Sequence, residues 1–188
     1  MTKEEIISMA RQVSARFGLP AELIIKQIER ESAFNPAAAG SSGEIGLMQI
    51  MPATGASMGY SITSLRDPRT NIIAGCQYMH NQIKMIIGLA DWLPFKAVYR
   101  LALIAYNGGP GYVSRAIRES RPGADVIEIM EGLKKTRVKY SWVFNYAFAI
   151  LGPIGKDEIE PIGKVRTRTG AGLVLALALS VLLWYRRK

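Results

Sequence analysis

Apolar residues recur at helical spacing along most of the first 150 positions of this chain. In the first such segment the apolar side chains stand at Ile6, Met9, Ala10, Val13 and Phe17. This spacing places them on one side of a helix. Thr2, followed three residues later by Glu5, predicts a capping box at the start of that helix. Gly18 and Pro20 predict its end.

Further helices follow at similar spacing. They are predicted from Pro20 to Ser32, over 67–88, from Pro94 to the glycines at 108 and 109, over 111–119 and over 136–150. Residues 35–46 combine Asn-Pro with three glycines and predict a loop. No stretch alternates polar and apolar residues with a period of two. The pattern therefore predicts an all-α domain over residues 1–150.

The composition changes after residue 150. Residues 151–169 mix glycine and proline with charges and predict a linker, and 170–185 contain no charge. As a helix, those sixteen residues would span about 24 Å, against the roughly 30 Å hydrocarbon core of a bilayer. Trp184, Tyr185 and flanking arginines would make up the difference. We predict one transmembrane helix over 170–185, followed by a basic tail, 186–188.

Charge and composition limit the classes of partner. The chain has 188 residues, 49% of them hydrophobic, and a formal net charge of +9. A basic surface suits an anionic polymer such as cell wall, or a membrane. No nucleic-acid-binding motif is present, so we expect no nucleic-acid partner. Cys76 and His80 are the only cysteine and histidine; Cys76 is predicted to be buried, and no partner spacing supports a metal site.

Three carboxylates in a short stretch are candidates for acid–base chemistry. Glu29 and Glu31 lie two positions apart on one helix, on different sides of it. Glu31 shares its side with Ile24, Gln27 and Ile28, whereas Glu29 is flanked by Lys26 and Arg30. Partial burial raises the pKa of a carboxyl group and keeps a proton available near neutral pH. Glu31 is therefore the candidate general acid, with a solvated charge at a helix end as the alternative interpretation, and we expect Glu29 to be solvated. Glu44 is either a solvated loop charge or a second carboxylate.

Five short motifs follow one another in order: Glu31-Ser32, Phe34-Asn35-Pro36, Gly46-Leu47-Met48-Gln49, Met51-Pro52-Ala53-Thr54 and Ala105-Tyr106-Asn107-Gly108-Gly109. Together they resemble the catalytic domain of soluble-type lytic transglycosylases, in the goose-lysozyme-like part of the lysozyme superfamily. Residues 67–79 are also similar to this family, with Asn71, Ala74, Gly75 and Tyr78 in the expected places. The resemblance covers residues 20–146 and implies a lysozyme-like helical fold with a substrate cleft.

The resemblance also implies roles for individual residues. Glu31 would be the catalytic acid and then the base, with Ser32 bonding the substrate or orienting the carboxyl group. The other substrate-binding residues would be Met48, Gln49, Tyr106, Asn107 and a tyrosine that follows Thr136-Arg137. Tyr140 is the candidate for that tyrosine, one residue further along than usual, and Tyr146 is the alternative. The family's reaction requires neither a metal nor an organic cofactor.

The implied reaction is cleavage of the β-1,4 bond between N-acetylmuramic acid and N-acetylglucosamine without water, leaving a 1,6-anhydromuramic end. Two alternatives stay open: a lysozyme-type hydrolase of the same bond, in which Glu44 could act as the second carboxylate, and a non-catalytic glycan-binding structural protein.

The expected location follows from both ends of the chain. The first residues lack the features of a signal peptide, so we expect insertion through the C-terminal helix, in a virion membrane or a host cell envelope. This arrangement suits a bacteriophage protein that opens the wall locally at entry, and a wall-opening component of a secretion apparatus is the competing interpretation. Expected partners are peptidoglycan strands, the membrane, and other virion or secretion-apparatus proteins.

Overall fold

The structure is a computed structural model, and it describes residues 1–135, 141–155 and 158. Over these residues it contains helices and no named strand, so the all-α prediction is confirmed. The helices are α1 (Lys3–Arg16), α2 (Ala21–Ser32), α3 (Pro52–Ser57), α4 (Ile62–Leu65), α5 (Pro68–Leu89), α6 (Phe95–Gly108), α7 (Pro110–Glu119), α8 (Val126–Lys135) and α9 (Ser141–Leu151).

The chain divides into two compact units, Met1–His80 and Asn81–Lys188, and α5 contributes residues to both. None of the helices in the described part of the chain is long and apolar enough to cross a bilayer. The transmembrane helix predicted over 170–185 lies outside the described residues.

In the first unit, α1 packs against α2. The predicted capping box is confirmed: the Thr2 N–H donates to Glu5 Oε2 at 2.7 Å, and the Glu5 N–H donates to Thr2 Oγ1 at 3.2 Å. The apolar sides of both helices are buried, at Ile6, Ala10, Val13, Leu23, Ile24 and Ile28. The periodicity of the sequence therefore identified the buried faces correctly.

A long loop joins α2 to α3, as the glycines and Asn-Pro predicted. It folds back on itself through isolated bridges from Ala39 to Ile45 and from Ile45 to Ile50. The two short helices that follow, α3 and α4, were not predicted. Each is too short to show a hydrophobic period, and each begins at a local signal: Pro52 opens α3, and the Ser61 side chain accepts a hydrogen bond from the Ser64 N–H at α4.

In the second unit, α7 and α9 pack against α6, and α8 packs against α7. Ten consecutive residues of α6, from Ala97 to Tyr106, are buried, which explains why this segment is apolar on all sides. Helix α8 was not predicted, although Asp125 caps it and its buried residues recur at helical spacing. Of the helix predicted over 136–150, residues 136–140 lie outside the described part, and the remainder belongs to α9.

An arginine lies in the fully buried part of α6. Both Arg100 and Glu158 are 0% exposed, and two hydrogen bonds join them: Nε to Oε2 at 2.5 Å and Nη2 to Oε1 at 2.9 Å. Arg100 Nη2 also donates to the Gly152 carbonyl at 2.8 Å, and the guanidinium lies over the Phe148 ring. Glu158 thus places a buried carboxylate of the predicted linker in the interior of the second unit.

Removal of Glu158 tests this buried ion pair. We expect Glu158→Ala to lower the free energy of unfolding by about 3–5 kcal/mol, because Arg100 would remain buried without its anion. The control is Glu119→Ala, which breaks the exposed pair with Arg115 and is expected to cost less than about 1 kcal/mol. Urea unfolding of the three proteins measures both values. Equal stability of the two variants would show that the ion pair does not hold the second unit together.

Candidate functional site

The three carboxylates differ in their surroundings. Glu31 lies in the last turn of α2 and is half-buried. Glu29 is exposed, and its carboxylate lies 3.6 Å from the Lys3 ammonium group. The prediction that Glu29 is a solvated surface charge is confirmed. Of Glu29 and Glu31, Glu31 is therefore the more buried carboxylate.

The backbone turns sharply directly after Glu31-Ser32. Ala33 has φ of 49° and Phe34 has φ of 62°, so two successive residues with side chains adopt the left-handed region. That conformation is unfavourable for such residues and persists only where surrounding contacts hold it. Phe34 is buried, and the Lys3 ammonium group lies 4.5 Å from the centre of its ring. These contacts maintain the turn that follows the end of α2 at Ser32.

Ser32 attaches the end of α2 to the loop that carries Met48 and Gln49. Its hydroxyl oxygen lies 3.1 Å from the Ile28 carbonyl oxygen and 3.0 Å from the Leu47 carbonyl oxygen. A hydroxyl has one proton to donate, and these two carbonyls compete for it. In this structure Ser32 holds the loop beside Glu31.

The same loop is held from the other side by Asn71 of α5, which is 0% exposed. Asn71 Oδ1 accepts from the Met48 N–H at 2.8 Å. Asn71 Nδ2 donates to the Ile45 carbonyl at 2.8 Å and to the Leu65 carbonyl at 2.9 Å. Both protons of this buried amide are bonded, so it fixes the loop without leaving a donor unpaired.

Close packing around Asn71 requires two glycines. A Cβ added at Gly46, where φ is 72°, would lie 2.6 Å from Asn71 Nδ2. A Cβ added at Gly75 would lie 2.6 Å from Met48 Sδ. Met48 is fully buried in this contact; its predicted part in glycan binding stays a prediction.

Gln49 of the same loop is half-buried. Its φ is 46°, and its Nε2 donates to the carbonyls of Gly46 at 2.8 Å and Ala38 at 3.3 Å. Both amide protons are thus used within the loop. A Cβ at Gly40 would collide with Glu44 Oε2 and would lie 2.9 Å from Gln49 Oε1. The Glu44 carboxylate therefore lies close to the Gln49 amide, a proximity that the sequence did not predict.

In the second unit, Tyr106 and Asn107 occupy the end of α6. Tyr106 is 9% exposed, and Asn107 is half-buried. Asn107 Oδ1 is buried and accepts no hydrogen bond from the described residues, which leaves an acceptor for a donor group of a ligand. Tyr146 is buried in α9, and Tyr140 lies outside the described residues.

Comparison with known proteins identifies the family of this chain. The family model "Transglycosylase SLT domain" matches residues 8–127. The chain belongs to this family. The match includes the turn after Glu31, the loop held by Asn71 and the end of α6. The helical, lysozyme-like fold predicted from the motifs is confirmed. The predicted roles of Glu31, Ser32, Met48, Gln49, Tyr106, Asn107 and Tyr140 stay predictions.

Solved structures with the same fold include two lytic transglycosylases. An inactive mutant of lytic transglycosylase Slt from Pseudomonas aeruginosa is 24% identical, with a TM-score of 0.60 over 77% of this chain and 22% of that one. The 70 kDa soluble lytic transglycosylase of Escherichia coli is 27% identical, with a TM-score of 0.56 over 76% and 23%. A third structure, a complex of the 70 kDa soluble lytic transglycosylase with bulgecin A, is 27% identical, with a TM-score of 0.56 over 74% of this chain and 22% of that one. The chain thus spans less than a quarter of the length of each.

Among the described residues, no group of three or more histidine, cysteine, aspartate or glutamate side chains could hold a metal ion. Cys76 is fully buried, as predicted, and burial raises the pKa of its thiol to about 12. Such a thiol stays protonated at neutral pH and is a poor nucleophile.

Asn71 is the residue whose role the sequence understated, because an asparagine within a helix is usually exposed. We expect Asn71→Leu to lower the free energy of unfolding by more than about 3 kcal/mol, since it removes the buried amide that bonds the Met48 N–H and the Leu65 carbonyl, whereas the Ile45 carbonyl keeps the Ile50 N–H. Asn81→Leu, at an exposed position of the same helix, is the control and is expected to have little effect. Thermal and urea unfolding compare the two variants. If both lose the same stability, Asn71 does not hold the loop.

Proposed function

We propose that this SLT domain is a peptidoglycan lytic transglycosylase in which Glu31 is the catalytic acid and then the base. The observation that carries the proposal is the half-buried position of Glu31 between a strained helix end and an anchored loop. Membership of the SLT family supports it. So does the P. aeruginosa relative, whose inactive mutant carries a single glutamate-to-glutamine substitution.

The reaction needs one carboxyl group. Protonated Glu31 donates its proton to the oxygen that bridges N-acetylmuramic acid and N-acetylglucosamine, and the bond from that oxygen to the anomeric carbon breaks. The substrate's own 2-acetamido group stabilises the positive charge on the anomeric carbon. The Glu31 carboxylate then accepts the proton of the 6-hydroxyl of the same sugar as its oxygen bonds to that carbon. Glu31 ends protonated, no water is consumed, and the product is a 1,6-anhydromuramic end.

Other residues of the family motifs would bind and orient the glycan. We assign this role to Gln49 in the first unit and to Tyr106 and Asn107 in the second. The buried, unpaired Oδ1 of Asn107 suits an N–H or O–H group of an amino sugar. Ser32 and Asn71 would act indirectly, by fixing the loop on which Gln49 stands.

A second candidate is a hydrolase of the same bond. The observation that favours it is the Glu44 carboxylate, which lies close to the Gln49 amide and could activate a water molecule. A hydrolase of this kind requires a second carboxylate, whereas the transglycosylase does not. The two products differ in mass by one water, so they can be separated directly.

The catalytic assignment is tested with the full chain in detergent on purified sacculi. We expect anhydromuropeptides from the parent, and a loss of about 10²- to 10⁴-fold in Glu31→Gln, because the substituted amide cannot donate the proton. Glu29→Gln is the matched control on the same helix and should retain the parent activity. Mass spectrometry of the released muropeptides identifies the ends.

Other outcomes of that experiment have distinct meanings. Reducing ends that disappear in Glu44→Gln would establish the hydrolase. No release by the parent would favour a non-catalytic glycan-binding protein. Parent activity in Glu31→Gln would show that the catalytic group lies elsewhere.

We further propose that residues 170–185 anchor the domain in a membrane, either of a bacteriophage particle or of the cell envelope. The support is a run of sixteen uncharged residues between arginines. Detection in purified virions would support the bacteriophage role in opening the wall at entry, and detection only in uninfected cells would contradict it.

The anchor has its own test. We expect the full chain to float with liposomes and Leu177→Arg to stay at the bottom of the gradient, because a charge at the centre of such a helix costs about 2.5–3.5 kcal/mol. Leu177→Ala is the matched control and should float. Flotation of Leu177→Arg to the parent level would contradict a bilayer-spanning helix.

A further inference from the structure

A groove of about 870 Å³ runs between α7 and α8 in the second unit. Below it, the two helices pack through buried apolar residues that include Val113, Ile129 and Leu133. The residues along the groove floor are small: a Cβ added at Gly132 would lie 4.0 Å from the Ala116 Cβ. Small residues at this point leave an open channel between the helices.

The direction of the two helices determines which residues face each other across the groove. A connection of six residues joins α7 to α8, and neighbouring helices joined by a short loop run antiparallel. The contact between Ala116 and Gly132 sets their register. Tyr112, at the start of α7, therefore lies opposite Lys135, at the end of α8. The other end of the groove is formed by the last turn of α7, the connection and the first turn of α8.

Charged side chains of both signs line this groove. They are Arg115, Arg121 and Lys135, and Glu119, Glu128 and Glu131. The end at Tyr112 has Arg115, Lys135 and one carboxylate, a net charge of +1. The end at the connection has Glu119, Glu128 and one guanidinium, a net charge of −1. Such an arrangement suits a ligand that carries an anionic and a cationic group in that order.

Surface ion pairs hold these charges, and a ligand can replace them. Arg115 Nε lies 2.7 Å from Glu119 Oε1, and Arg121 Nη2 lies 2.9 Å from Glu128 Oε2. All four side chains are more than a third exposed. Exposed pairs of this kind contribute little to stability. Exchange of one partner for a charged group of a ligand therefore leaves the fold intact.

The positive end of the groove adjoins the end of α6. Tyr112 lines the groove and also lines a small cavity together with Gly108 and Gly109. These glycines directly follow Tyr106 and Asn107 in the chain. The residues that we assign to glycan binding in this unit thus stand next to the positive end of the groove.

We propose that this groove binds the stem peptide that extends from the N-acetylmuramic acid of the substrate. The inference rests on the proposed function and names the part of the substrate that lies beyond the sugars. Four extended peptide residues span about 13 Å, and α7 spans about 14 Å from Gly111 to Ser120. The length of the groove thus matches a stem of about four residues.

The order of charges along the stem matches the order along the groove. The peptide begins at the lactyl group of muramic acid, its second residue carries a carboxylate, and its third carries an ammonium group where it is a diamino acid. With the sugar at the end of α6, the carboxylate lies between Arg115 and Lys135. The ammonium group then lies between Glu119 and Glu128.

The test uses the full chain in detergent and two soluble glycan fragments with uncross-linked stems. In one fragment the ammonium group of the diamino acid is free, and in the other it is N-acetylated. The acidic double variant carries Glu119→Gln and Glu128→Gln. We expect its KM for the free-ammonium fragment to rise about 5- to 10-fold, the effect of losing two exposed charge contacts. Its KM for the acetylated fragment should equal that of the parent, and kcat should stay within twofold because the groove acts in binding.

A basic double variant, Arg115→Gln with Lys135→Gln, gives the complementary result. Its KM should rise by a similar factor for both fragments, because both retain the stem carboxylate. Arg118→Gln is the matched control: Arg118 is exposed on α7 but does not line the groove, so this variant should keep the parent KM on both fragments. Thermal unfolding of each variant establishes that it is folded.

Two outcomes would overturn the inference. One is a KM within twofold of the parent for the free-ammonium fragment in either folded double variant. The other is an equal rise in KM for both fragments in the acidic double variant, since the acids would then not bind the ammonium group.

Failure of this inference is distinguishable from failure of the proposed function. If the parent releases anhydromuropeptides, Glu31→Gln is inactive and the double variants keep the parent KM, Glu31 is the catalyst and the groove does not bind the stem. If the parent releases none, or Glu31→Gln retains parent activity, the proposed function fails, and the inference about the groove fails with it.

Discussion

The carboxamide of Asn71 is the interaction on which the first unit depends. Its oxygen and both its amide protons bind backbone groups of Ile45, Met48 and Leu65. They therefore join α5 both to the loop between α2 and α3 and to the end of α4. Because the amide is fully buried, each of these bonds is protected from competition with water. The loop can approach so closely only because residues 46 and 75 are glycines. Together with Ser32, this side chain fixes the position of the loop that carries Gln49.

Backbone strain is concentrated at the same place. Within the described part of the chain, the non-glycine residues with positive φ are Ala33, Phe34 and Gln49. The first two end the helix directly after Glu31-Ser32, and the third lies on the loop that Ser32 and Asn71 hold. Strain of this kind persists where surrounding contacts over-determine the backbone, and it is common at functional sites. In the proposed function, a backbone held in this way would keep Glu31 in a fixed position for proton transfer.

The second unit contains a buried charge. Its central helix α6 is buried over ten residues and nevertheless contains Arg100. The charge is tolerated because Glu158 binds it with two hydrogen bonds, while Gly152 and Phe148 supply further contacts. Helix α6 also ends in Tyr106 and Asn107. The buried ion pair thus secures the helix that presents two of the proposed glycan-binding residues.

The sequence by itself determined the all-helical class, the buried faces of α1 and α2, and the exposed position of Glu29. These properties depend on residues close together in the chain, whose periodicity and capping can be read locally. Helices α3 and α4, the anchoring role of Asn71, the proximity of Glu44 to Gln49 and the pairing of Arg100 with Glu158 were decided by tertiary structure. They depend on partners up to 58 residues apart, or on helices too short to show a period. Local patterns carry no information about which distant polar groups will meet, because those contacts form only when the core excludes water.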